Sequence, residues 1–238
     1  MSLSFLSALL AIIACALLIP PLARAGLASC LDGQKPQDLP YMRHIATFGG
    51  IAIALTSILS GQGPAFAFVS TLFGGFLAAA SYLDRETSWA PDHLLFPISV
   101  LGFSVAGFLG MWGLTPFIGF LVGAFGYLAL MGVWLLVNEK TDVASLLPPN
   151  DILSILVPLA FLGPGLSVFF MIAAAILLMM VRFIPGVRKL FLREDVAIQA
   201  LAEMEVCDGR AEDFITLLMV TLPAAFVFLI VAMTQEIF

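Results

Sequence analysis

Two carboxylates stand where polar segments meet long apolar runs. Asp84 closes the stretch Ala80-Ser81-Tyr82-Leu83-Asp84, and Asp151 opens Pro148-Pro149-Asn150-Asp151-Ile152. Carboxylates from two different helices can do general acid–base work when packing brings them together. Each also has a plainer explanation. Asp151 fits a helix N-cap or first-turn acid, favoured by the helix dipole. Asp84 fits an interfacial acid beside Arg85, although the dipole mildly disfavours an acid at a helix C-terminus. The other reactive side chains form no pattern. Cys15, Cys30 and Cys207 contain no CxxC pair, and His44 and His93 lie far apart in polar stretches. Neither zinc-ligand spacing nor a disulfide framework is present.

The elements that must position these acids are apolar. Of 238 residues, 61% are hydrophobic and 11% charged, with a mean hydropathy of +1.09. A soluble domain carries ~25% charged residues. This composition excludes a soluble globular domain, a disordered chain, a basic nucleic-acid binder and a secreted disulfide scaffold. It predicts an all-α, polytopic membrane bundle, because a spanning segment must satisfy its own backbone hydrogen bonds.

At ~20 residues per span the chain has room for about eight transmembrane helices. The apolar runs place them near 3–22, 45–59, 65–83, 94–111, 117–137, 152–162, 166–181 and 214–233. The run 152–162 is short and ends at Gly163-Pro164-Gly165. The net charge of −6 says less than where the cations fall. All ten Lys and Arg lie in the segments 23–44, 84–93, 138–151 and 182–213. With eight spans these segments share one side, which the positive-inside rule makes cytoplasmic. Asp84 and Asp151 then lie on that same face. No charged residue falls at mid-span, where a transporter's coupling site would be expected.

Residues 1–25 end in Ala-Arg-Ala, as a signal peptide could, but lack a basic start and have a long apolar stretch. They are read as a retained span. Val187, Leu190, Phe191, Ile198, Leu201 and Met204 recur at roughly helical spacing, predicting a surface helix at the headgroup layer. Gly49-Gly50 and Gly74-Gly75 predict close helix approach. Trp89 and Trp112 fit interfacial anchors.

The stretch Ser81-Tyr82-Leu83-Asp84-Arg85-Glu86-Thr87-Ser88-Trp89-Ala90-Pro91-Asp92-His93-Leu94 resembles the first aspartate motif of type IV prepilin peptidases. In that family a small-residue helix ends in Asp, and a polar stretch leads to Ile-Pro-Asn/Asp-x-Leu. Ala90 replaces the usual Ile. The second family motif is Gly-x-Gly-Asp before an apolar helix with a Gly twelve residues after the Asp. Asp151 and Gly163 keep that spacing, and the run Leu121-Val122-Gly123-Ala124-Phe125-Gly126-Tyr127 is similar to the glycine-rich helix that precedes it. Pro148 and Asn150 stand in place of the two motif glycines, and Leu153 where a Lys is common. The resemblance covers residues 65–182. It leaves 1–64 as two additional N-terminal helices and 183–238 as an amphipathic segment plus a final span.

The resemblance implies a membrane-embedded aspartic endopeptidase that removes the leader of prepilin-like proteins. The implied dyad is Asp84 and Asp151, sharing a proton because two close carboxylates do not both ionise. One would activate water and the other would protonate the carbonyl oxygen. No metal or organic cofactor is implied. The expected partners are a pilin-like precursor and membrane lipids, without nucleic acid. The expected location is the bacterial inner membrane, with the active face cytoplasmic. Long family members also N-methylate the new terminus through a domain with paired CxxC motifs. Its absence aligns this chain with the short, tight-adherence type.

Two alternatives follow from the same residues. The altered Pro148-Pro149-Asn150-Asp151 loop fits a non-catalytic scaffold of a pilus or secretion assembly. The run 41–50 faintly echoes polyprenyl-phosphate sugar-phosphate transferases, but Asp84 is followed by Arg85 rather than the second Asp that class needs.

Overall fold

The computed structural model describes residues 2–30, 39–87, 92–108, 149–193 and 218–234, with backbone alone over 149–161 and at a few other helix positions. Every regular element among the described residues is an α-helix. The helices are α1 (Ser2–Cys30), α2 (Met42–Leu59), α3 (Pro64–Thr87), α4 (Asp92–Phe108), α5 (Pro149–Phe183), α6 (Pro185–Phe191) and α7 (Leu218–Thr234). Among the described residues four segments are long and apolar enough to cross a bilayer: Leu3–Ala28, Met42–Leu59, Pro64–Thr87 and Gly165–Phe183. Helices His93–Phe108 and Val220–Thr234 are apolar but shorter. This is the character expected of a membrane protein. The expected span 117–137 lies outside the described residues, as do Ile198, Leu201, Met204, Cys207, Trp89, Trp112 and Pro148.

Helix α3 is the hub. It packs against α1, α2, α4 and α7. Of its apolar window, 72% is buried, against 28% for α1 and 39% for α2. Lipid tails are as apolar as Leu, so helices in a bilayer associate through packing rather than water exclusion. Small residues let backbones approach. A Cβ on Gly49 would meet Ala78 Cβ and lie 3.0 Å from the Gly74 carbonyl oxygen. A Cβ on Gly75 would run into Cys15 Sγ and lie 3.1 Å from the Ala46 carbonyl oxygen. The glycine pairs thus do what their sequence predicts, and Cys15 fills the space they leave. On α1, Ala8, Ala11, Cys15, Ile19, Ala23 and Leu27 are buried at a spacing of three to four residues. The opposite stripe, including Leu3, Leu6, Leu10, Ile13 and Leu17, is exposed, as a lipid-facing surface would be.

The α2–α3 turn shows why these helices form a tight hairpin. Gly61 has φ +70°, a left-handed conformation that costs an L side chain about 1–2 kcal/mol. Its N–H donates to the Ile58 carbonyl at 3.1 Å, and the Gln62 N–H donates to that of Ser57, also at 3.1 Å. These two bonds make a Schellman cap. Two residues after Gln62, Pro64 opens α3, where its missing N–H costs nothing. Ser4 Oγ donates to the Gln62 carbonyl at 3.0 Å and ties the start of α1 to the turn.

Three sequence expectations change. Helix α1 continues to Cys30, beyond the expected end at 22, and carries Pro20 and Pro21 inside it. The surface helix near Val187 is the short α6, whose Val187 and Phe191 pack against the core while Leu190 is 68% exposed. The largest change concerns the two spans expected at 152–162 and 166–181. They form one continuous helix, because Gly163-Pro164-Gly165 does not interrupt α5 over its 35 residues. Breaking a helix in an apolar medium strands several backbone groups. Carrying one Pro forfeits a single N–H donor and adds one clash. As a consequence, Asp151 and Arg182 lie at opposite ends of α5 rather than side by side.

Candidate functional site

Asp84 lies in the last turn of α3 and is 1% exposed. The run before it explains the burial. Leu77, Ala79, Ala80 and Leu83 are fully enclosed, so the helix carries its acid into a packed environment rather than out to water. A buried carboxylate is costly unless its surroundings answer it, and Asp84 is engaged in an interaction within the fold. The final turn is locked by side chains bonding back along the helix. Ser81 Oγ donates to the Leu77 carbonyl, and Thr87 Oγ1 to that of Leu83, both at 2.8 Å.

Charged groups surround this helix end. Arg85 pairs with Glu86 at 3.6 Å. Arg193 Nη1 donates to Glu86 Oε2 at 2.8 Å across 107 residues of chain. Beside this pair Leu192 is 1% exposed, which anchors the strand of chain leaving α6. Tyr82 is 9% exposed and lies against the backbone of Tyr41 at the start of α2. Asp84 is therefore withdrawn from water at the end of α3, with the α6 exit tied to the neighbouring Glu86. A carboxyl so withdrawn from bulk water can hold or deliver a proton to a group that reaches it.

Asp151 is described by its backbone, which lies in the first turn of α5. Thirty-one residues separate it from Arg182, roughly 46 Å of helix at 1.5 Å per residue. Arg193 brings the Arg182 end of α5 to the Asp84 end of α3. A shared site for Asp84 and Asp151 thus requires α5 to bend, and Gly163-Pro164-Gly165 is where its backbone is weakest.

Among the described residues, no group of three His, Cys, Asp or Glu side chains is placed to hold a metal ion. His93 is exposed, and Cys15 is buried between the glycine-rich helices. Neither a protein-family model, nor a curated protein, nor a solved structure matches this chain. Function is argued here from residues and geometry alone.

Sequence reasoning passed over Glu86 and Arg193. Glu86 follows Asp84 within one turn, which is a visible signal. Its partner lies on a distant segment, and no local pattern joins the two.

Proposed function

We propose that this chain is a multi-pass membrane aspartic endopeptidase of the prepilin-peptidase type, working at the cytoplasmic face of a bacterial inner membrane. The observation that carries this is the burial of Asp84 at the end of a small-residue helix, inside the motif that resembles the family's first aspartate site. Asp84 and Asp151 form the dyad. One activates water for attack on the scissile carbonyl, and the other protonates the carbonyl oxygen. The pair titrates jointly, so neither acid alone is the base. The substrate is a pilin-like precursor whose leader precedes an apolar helix. That helix would lie in the bilayer beside α3 and present the scissile bond at the interface. In this mechanism α5 bends at Gly163-Pro164-Gly165 to bring Asp151 to Asp84.

A second reading has its own observation. The unbroken α5 favours a non-catalytic relative that serves as a scaffold in a pilus or secretion assembly, with Asp151 as a first-turn acid.

One experiment separates them. The chain is co-expressed with pilin-like precursors of its host, and leader removal is followed by mass spectrometry. The peptidase cleaves, and Asp84→Asn and Asp151→Asn each abolish cleavage. A well-folded wild-type chain that cleaves no precursor is the scaffold.

A further inference from the structure

A cavity of about 680 Å³ opens between the C-terminal half of α1 and the start of α2, apart from Asp84. Its lining brings Arg24, Arg43 and His44 together with apolar side chains that include Leu17, Pro20 and Met42. The chain has ten Lys and Arg and two His in all. Three of these twelve converge on one cavity. None of the three has an ion-pair partner among the described residues. The three side chains are exposed.

The start of α2 adds to this positive field. Its N-cap residue is Tyr41, which makes no side-chain capping bond, and its first turn holds no acid. A helix N-terminus presents unsatisfied N–H groups and a partial positive charge. A cation there is disfavoured, yet Arg43 occupies the first turn, beside His44. An anion seated in the cavity answers all of these charges together.

The wall identifies the source of that anion. The rest of the lining, Leu17, Pro20, Pro21, Leu39, Pro40 and Met42, is apolar. Leu17 is 62% exposed and continues into the exposed stripe of Ile13 and Leu10. A free phosphate has no use for such a wall, whereas a phospholipid does: its phosphate sits among the cations and its acyl chain runs along α1. We propose that this cleft binds the headgroup of an anionic phospholipid, with Arg24 and Arg43 holding the phosphate and His44 at its edge. The site does not depend on the peptidase assignment.

The test uses the full chain in detergent, titrated with phosphatidylglycerol or phosphatidylcholine and read by native mass spectrometry. The wild type retains one phosphatidylglycerol in preference to phosphatidylcholine. Each Arg near a membrane surface contributes about 1 kcal/mol to anionic-lipid binding, about fivefold in affinity. The double variant Arg24→Gln/Arg43→Gln therefore loses roughly thirtyfold, while Arg24→Lys/Arg43→Lys retains most of the affinity. Lys189→Gln, on exposed α6, changes it by less than about twofold. All variants keep the wild-type melting temperature, since the substituted side chains are exposed. Equal binding by wild type and the Gln double variant overturns the proposal, as does equal affinity for the two lipids. Displacement of phosphatidylglycerol by glycerol phosphate at equal concentration overturns the lipid and leaves a free-anion site.

Discussion

The α1–α2–α3 cluster and the α5–α7 pair solve the same problem differently. Both must hold apolar helices together in a medium that gives no water-exclusion drive. The first cluster brings backbones close. Gly49, Gly74 and Gly75 leave room that a neighbouring helix occupies, and adding one methyl at Gly74 would meet Ile53, whose Cβ is 2.9 Å away. The second pair meets through large side chains rather than through glycine pairs. Phe170 is fully buried and meets Phe228 edge to face, ring centroids 5.5 Å apart. Gly165 of α5 has no such role, for a Cβ there would touch nothing within 4 Å. A glycine in an apolar helix therefore marks close packing at Gly74 and open space at Gly165.

Substitutions test this contrast. Phe170→Ala removes the side chain that fills the α5–α7 contact. The loss is about 3 kcal/mol, the low end for Phe→Ala in cores because lipid rather than water surrounds the helices. It is read as a lowered melting temperature in detergent. Gly74→Ala forces α2 and α3 apart and costs about 1–3 kcal/mol, the overpacking range. If its melting temperature matched the wild type, the close-approach account of α2–α3 would fail.

Gly165→Ala has the opposite sign. With open space around it, the change raises helix stability by up to about 1 kcal/mol. Its effect on cleavage sharpens the functional question too. If α5 bends so that Asp151 reaches Asp84, stiffening Gly165 lowers cleavage while raising the melting temperature. The smallest effect is expected at the end of α3. The Arg193–Glu86 bridge is partly exposed, with 42% of the Arg193 side chain accessible. Arg193→Gln should cost only about 0.5 kcal/mol. A loss several times larger would show that the bridge also holds the α6 exit in place.

Much of the helical framework was legible. The apolar runs near 45–59 and 65–83 anticipated α2 and α3 to within a few residues, because each is bounded by polar or turn residues. Asp84 could be singled out from its place at a helix end. Its 1% exposure could not, since burial depends on what packs around that end. The α5 region was less legible. Gly163-Pro164-Gly165 has the composition of a turn, but local preference yields where a break would leave backbone groups unsatisfied in an apolar medium. The Arg24–Arg43–His44 cleft was hidden for another reason: its members are individually ordinary, and only the crossing of α1 and α2 gathers them.

The sequence by itself determined that this chain is helical and apolar, where its glycine pairs lie and where its few charges fall. Those properties follow from composition and short-range spacing. Only the tertiary structure decided that α3 is the hub, that Asp84 is enclosed, that Glu86 answers Arg193 and that α5 runs unbroken. The first three depend on contacts between segments far apart in the chain, written in no single stretch of residues, and the last on an apolar medium in which a break would leave backbone groups unsatisfied.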